Sequence, residues 1–226
     1  MKKLLILSLL ILPLLYVVKS STHAAELQWG FTTESGSEVV EQQVYLAKGW
    51  NLVAGLANRE WIMNGDVKST DIRAIYAFNP IVDIKKNVRL YPNPNREEVD
   101  ALPPATLQMS FWVYATKSGN ITYKAQMLEP LRMSWAPGWN FVPLTADLIE
   151  GGAYPDLKLK DVKGDCIIEK ASTFSEGQWT DLLAEDTEMD STFINKGMVM
   201  KVSSECKLGH VQKQSVTPVP PTLPNQ

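Results

Sequence analysis

The chain has 226 residues, 45% of them hydrophobic, with 22 Lys+Arg against 25 Asp+Glu and a formal net charge of −3. An acidic balance without a basic run gains nothing from counterion release on a polyphosphate, which argues against a nucleic-acid partner. The histidines are His23 and His210, so a Ser-His-Asp triad, a Cys-His pair or a histidine metal cluster would have to rely on His210 alone, and neither a metal nor a cofactor is expected.

Met1-Lys2-Lys3 is a cationic start, and Leu4 to Val18 is apolar apart from Ser8 and Pro13. Lys19 to Ala24 then supplies small and polar residues, so residues 1–24 read as an export signal cleaved after Ala24. The alternative is an uncleaved membrane anchor, but the run is shorter than the ~20 residues of a span and Pro13 interrupts it. Cleavage would remove Lys2, Lys3 and Lys19 and no acid, taking the balance to 19 − 25 = −6. The expected destination is periplasmic, cell-surface or extracellular. Residues 25–42 form an N-terminal strand, Leu27–Phe31, followed by a polar loop.

From residue 43 onwards the sequence repeats. Gly49-Trp50-Asn51-Leu52-Val53 returns as Gly138-Trp139-Asn140-Phe141-Val142, an offset of 89. Ser110-Phe111-Trp112-Val113-Tyr114-Ala115 aligns with Gly197-Met198-Val199-Met200-Lys201-Val202 at offset 87, and Asp71-Ile72-Arg73-Ala74 with Asp161-Val162-Lys163-Gly164 at offset 90. Landmarks in one order with little drift point to duplication of a module over 43–125 and 131–211. Gly49 and Gly138 read as tight-turn residues, and Asn51 and Asn140 as amides serving nearby backbone.

Within the first copy, Leu52–Leu56, Ile72–Phe78, Phe111–Ala115 and Ile121–Lys124 have strand composition. In the second, Phe141–Leu144, Cys166–Ala171, Gln178–Leu183, Gly197–Val202 and Lys207–Val211 do. Short runs broken by Gly, Pro and Asn predict an all-β fold, two tandem sandwich or barrel-like modules with short helical turns. Asn95-Arg96-Glu97-Glu98 has the spacing of a helix start, with Pro103-Pro104 as its stop, and a second turn is expected from Asp147.

Cys166 and Cys206 are the cysteines of the chain. An even, minimal count in an exported protein predicts one disulfide, joining the middle strand of the second module to its last hairpin. Residues 212–226, with four prolines in the last nine residues, read as a disordered or polyproline tail that acts as a spacer or docks a partner.

The Gly-Trp-Asn-Leu-Val opening and the late Phe-Trp-Val-Tyr-Ala strand, followed by Gly119-Asn120-Ile121-Thr122, resemble a repeat of exported bacterial and archaeal surface proteins. In that repeat a "GWNLVS" start is paired with a "GYWV" strand. The resemblance covers both modules and is stronger in the first, since Gly-Met-Val-Met replaces the aromatic pair in the second. It implies an extracytoplasmic β-module and no particular activity.

Seven tryptophans raise the question of stacking on sugar rings. Trp50, Trp112, Trp135, Trp139 and Trp179 occupy positions apolar in both copies, the pattern of packing residues. Trp61, opposite Glu150, and Trp29, outside the repeat, are left as ligand-contact candidates. The acidic stretch Asp181, Glu185, Asp186, Glu188 and Asp190 lacks the alternation of a calcium loop and reads as a solvated loop. The expected function is therefore a non-catalytic extracytoplasmic binding or structural module of the cell envelope, acting on glycan or another surface protein. The alternatives are a glycosidase built on two of those carboxylates, or an assembly or inhibitor subunit pairing through a sheet edge.

Overall fold

The computed structural model describes residues 38–80, 86–149 and 156–210; the signal, the strand at Leu27–Phe31, Trp29 and the tail lie outside them. The fold is all-β, with three antiparallel sheets. The strands are β1 (Val39–Leu46), β2 (Gly49–Ala54), β3 (Ile62–Gly65), β4 (Ile72–Asn79), β5 (Lys86–Tyr91), β6 (Ser110–Ala115), β7 (Gly119–Gln126), β8 (Gly138–Pro143), β9 (Ile168–Ser175), β10 (Gln178–Asp181) and β11 (Gly197–Val202). Short helices α1 (Arg96–Asp100), α2 (Ala146–Ile149) and α3 (Leu159–Val162) lie between them. Among the described residues, no helix is long and apolar enough to cross a membrane.

Two of the sheets have the same plan. One runs β2-β6-β4-β5 and the other β8-β11-β9-β10. Gly49 pairs with Ala115 and Gly138 with Val202, so both sheets begin in one register. Tyr76 lies opposite Trp112 as Ser172 lies opposite Val199, and each middle strand carries an irregularity at the same place, next to Ile72 and next to Ile168. The turn before that strand is also shared. Lys68 donates its backbone N–H to Asp71 Oδ2 at 2.8 Å, and Lys158 does the same to Asp161 Oδ2 at 3.0 Å.

The polar residue of each Gly-Trp-Asn motif is a buried clamp. Asn51 Nδ2 donates to the carbonyls of Ala47 (2.8 Å) and Gly49 (3.1 Å), and Asn140 Nδ2 to those of Ala136 (2.8 Å) and Gly138 (3.1 Å). The glycines sit at φ +105° and +94°, a region L-residues avoid, which fixes the turn into the strand. Asn95 caps α1 by accepting from the N–H of Glu97 at 3.1 Å, as its spacing predicts.

The third sheet runs β1-β7-β3. Strand β1 starts at Val39, before residue 43 and inside the stretch expected as loop, because all eight of its residues pair with β7 and Val44 and Leu46 point into the core. Tyr123 of β7 reaches across to the β2 sheet, donating its hydroxyl to the carbonyl of Ala54 at 2.6 Å. Burial without a charged partner pushes the Tyr123 hydroxyl far above its ordinary pKa, so it stays a donor.

In the second half the counterpart of this sheet is reduced to bridges, Trp135 with Cys206 and Lys163 with Gly209. The strand expected over Lys207–Val211 is absent among its described residues. The N–H groups of Lys207 and Gly209 are spent on Asp165 Oδ1 and the Val162 carbonyl instead. Cys166 and Cys206 are disulfide-bonded, with Cα atoms 5.0 Å apart. The bond ties the entry to β9 to the segment after β11, within a core that includes Trp135, Val142, Leu148, Met198 and Met200.

The two four-stranded sheets also pack on each other. Leu52, Phe78 and Phe141 form a buried cluster flanked by Trp112, Trp139, Phe174 and Val199. Ser110 Oγ donates to the Val142 carbonyl at 3.0 Å, while Asn195 Nδ2, just before β11, donates to the Gln43 carbonyl of β1 in the third sheet at 2.9 Å. Contact is closest at Gly197, where a Cβ would lie 2.5 Å from Leu52 Cγ and 2.5 Å from Ser110 Cβ.

Candidate functional site

Strand alternation sorts the aromatic residues by face. Trp50 pairs with Tyr114, Leu52 with Trp112, and Tyr76 with Trp112, so these side chains share one face of the β2-β6-β4-β5 sheet. On the other sheet Val199 pairs with Phe141, and Trp179 with Phe174. The two faces meet, and their rings form a continuous chain. Trp50 lies 5.9 Å from Tyr76, 6.4 Å from Trp112 and 5.2 Å from Tyr114 between centroids. Trp112 lies 5.3 Å from Phe174 and 5.7 Å from Trp179, while Phe78 stacks on Phe141 at 4.6 Å.

This cluster is not sealed. Trp50 is 40% exposed and Trp179 is 53% exposed. Beside Trp50 opens a cleft of about 330 Å³ lined by Trp50, Tyr76, Asn87, Trp112 and Phe174. Its size is within the range of small-ligand and peptide sites, and its walls are rings with one amide. The ring planes meet at 60° to 89° around Trp50 and Trp112, so the surface is a set of wedge-shaped slots and not a flat platform. Arg89 fixes one wall, donating from Nε to Tyr76 Oη at 3.0 Å with its guanidinium carbon 5.6 Å from the Tyr76 ring centroid. Such edge-to-face rings, with Trp50 held by three neighbours and Trp112 by four, form a preorganised apolar site.

Trp50 and Trp112 thus line the cleft where the repeat pattern reads them as core, and Trp179, although exposed, packs on Trp112 and Phe174 outside that lining. Trp135, 1% exposed, is core as expected. Two physical facts explain the difference. Trp112 and its counterpart Val199 lie against the cluster shared by the two sheets, and the apolar margin of that contact stays open at Trp50. The second fact is register. Offset 89 aligns Trp179 with Leu90, but the strand pairings align Phe174 with Phe78 and hence Trp179 with Asn87, because Phe78 lies opposite Asn87. That difference of three residues is odd, and an odd shift moves a strand residue to the other face. Leu90 is accordingly buried while Trp179 is exposed and packs on Trp112.

Trp61 ends a single helical turn, Arg59–Trp61, capped by Asn58; it is half-buried and does not line the cleft. Trp29 lies outside the described residues. The acidic stretch is occupied locally. Asp181 Oδ1 accepts from the N–H of Leu183 at 2.9 Å, and Asp190 Oδ1 from the N–H of Thr192 at 2.8 Å. The Thr192 hydroxyl and N–H hold the Asp190 carboxyl below its ordinary pKa. Among the described residues no group of three or more His, Cys, Asp or Glu is placed to hold a metal ion. His210 Nε2 lies 3.1 Å from the Asp147 carbonyl. Compared with models of protein families, with curated proteins and with solved structures, the chain matches none.

Proposed function

We propose that this chain is a non-catalytic extracytoplasmic binding module that docks an extended, proline-rich segment of a protein in the cleft between its two aromatic faces. The observation that carries this reading is the cleft itself: indole and phenyl walls meeting at steep angles, open to solvent beside Asn87. A polyproline helix presents apolar ridges and unpaired carbonyls with few N–H groups, and grooves that bind it offer aromatic slots with side-chain donors. Here the slots are supplied by Trp50, Trp112 and Phe174, and the donors by Asn87 and the Tyr76 hydroxyl. A sugar ring stacks best on a flat, open aromatic face and needs several planar polar neighbours, so the ring angles favour peptide over glycan. The disulfide supports an oxidising compartment, and the N-terminal signal pattern supports export to the envelope or beyond.

The test is a titration of the full chain, followed by tryptophan fluorescence, with an oligoproline peptide and separately with a panel of soluble glycans. Saturable binding of the peptide, lost in Trp50→Ala while circular dichroism shows the fold retained, is the expected result. Glycan binding at Trp50 without peptide binding overturns the peptide reading. Turnover of a polysaccharide, lost in Asp181→Asn or Glu185→Gln, overturns the non-catalytic one.

A further inference from the structure

Strand β5 presents two polar residues on the side of the aromatic cleft. Phe78 lies opposite Asn87 and Tyr76 opposite Arg89, so Asn87 and Arg89 alternate with buried Val88 and share the face of those rings. Asn87 lines the cleft, and none of its five lining residues is charged. The charged group bonded to that lining is the Arg89 guanidinium, with Nε 3.0 Å from Tyr76 Oη and Cζ 5.6 Å from the Tyr76 ring centroid. Arg89 is exposed, and among the described residues no carboxylate forms an ion pair with it. Its Nε–H is taken by Tyr76, while the two terminal nitrogens keep four N–H donors in a planar fork.

We infer that Arg89 makes the cleft select proline-rich segments that carry an acidic side chain, an Asp or Glu whose carboxylate pairs with the guanidinium while a neighbouring proline sits among the rings. The inference rests on the peptide reading of the cleft. The chemistry of the fork carries it first: two terminal N–H groups meet both oxygens of one carboxylate at once. Orientation comes second. The bond to Tyr76 already holds this guanidinium, so forming the pair costs less side-chain freedom than it would for a free surface cation. Spacing is the third support. Asn87 and Arg89 are two strand residues apart, roughly 6.6 Å, and two residues of a polyproline helix advance ~6.2 Å. For a segment running along β5, the acid therefore lies about two residues from the carbonyl that Asn87 holds. The chain's formal net charge of −3 opposes an acidic ligand at long range. Physiological salt screens such repulsion beyond roughly 8 Å, so the contact at Arg89 decides the preference.

The test titrates the full chain, followed by tryptophan fluorescence, with oligoproline peptides blocked at both ends that carry either one Asp or one Asn two residues from a proline. A third peptide has the Asn and a free C-terminal carboxylate. At low salt the wild type is expected to bind the Asp peptide about fivefold tighter than the blocked Asn peptide, the range of an exposed ion pair. That ratio should shrink as salt is raised. Arg89→Gln should bring it to about one, whatever the loss of the Tyr76 bond does to both affinities. Arg89→Lys keeps the charge without the fork and should keep part of the ratio. Circular dichroism checks the fold of both variants; if Arg89→Gln does not fold, Arg89→Lys and the salt series in the wild type decide. A ratio near one in the wild type overturns the inference and leaves the peptide reading standing. A ratio that survives in Arg89→Gln does the same, because the carboxylate then sits elsewhere. A gain from the free C-terminus alone overturns the assignment to a side chain. If none of the peptides binds, the peptide reading itself falls.

Discussion

Asn51 shows how one side chain can hold the start of a module. Its amide donates to the Ala47 and Gly49 carbonyls while its Oδ1 accepts from the Ala47 N–H at 2.8 Å. Alanine there would leave the buried Ala47 N–H and carbonyl without partners. The expected cost is about 2 kcal/mol, read as a lower urea midpoint at unchanged slope. Aspartate keeps the acceptor but aims a second oxygen at two carbonyls, so Asn51→Asp should not rescue. Trp50 is the opposite case. Part of its ring is open, so Trp50→Ala should cost less stability than truncating a fully buried tryptophan, although it removes three ring contacts. It should remove roughly 2 kcal/mol or more of ligand binding, about thirtyfold, if Trp50 anchors the cleft. Asp71 adds a pH signature. The Lys68 N–H first, and then Lys117 at 3.1 Å, hold its carboxyl below the ordinary aspartate range. A depressed folded pKa stabilises fully above the unfolded value of about 3.9 and is lost as pH falls through the folded one. The stability gap between wild type and Asp71→Asn should therefore be constant near neutrality and close in acid, as urea midpoints measured from pH 6 downwards would reveal.

At the scale of elements, the disulfide and the sheet contact carry different loads. Cys166 and Cys206 are 40 residues apart in sequence. On the loop-entropy account their bond contributes about 3–4 kcal/mol, and replacing both with serine should lower stability by that order. Loss of much less would mean that the bridges around Trp135 already order the unfolded loop. Strands that pair within one turn of a landmark were legible in the sequence. The Gly-Trp-Asn strands, β6, β11 and the Asn95 cap all follow from local chemistry, and so does the cysteine pairing. Strands β1, β3 and β5 were not, since their residues alternate weakly and gain their place only by pairing with β7 or β4. The cleft was legible in its residues and hidden in its geometry. Three tryptophans were visible as apolar repeat positions, but which face Trp179 takes depends on the Glu176-Gly177 hairpin, where both residues have positive φ, and not on any offset.

The two four-stranded sheets share one aromatic contact, and this fixes how the whole described body should unfold. Leu52 and Phe78 come from one sheet and Phe141 from the other, so neither sheet can bury its own face alone. The close point is Gly197 against Ser110 and Leu52, and Ser110 and Gly197 occupy equivalent places in β6 and β11. Strands can approach there because one of the two positions lacks a side chain. Gly197→Ala drives a methyl into Leu52 and Ser110, and overpacking of this kind costs about 1–3 kcal/mol. Adding Ser110→Gly relieves one clash and removes the Ser110–Val142 hydrogen bond, so the double variant should lose less than the sum of the two single losses, a coupling near 1 kcal/mol. Because the contact is shared, both halves should lose structure together. Tryptophan emission, which reports on the indoles of the cleft and of the second core together, and far-ultraviolet circular dichroism, which reports on all three sheets, should give coincident urea midpoints in the wild type. Gly197→Ala should move both midpoints by the same amount. Separate midpoints in the wild type would mean that each sheet folds on its own core, with the aromatic contact a weak docking of finished parts. The cleft would then open and close with that docking, whatever occupies it.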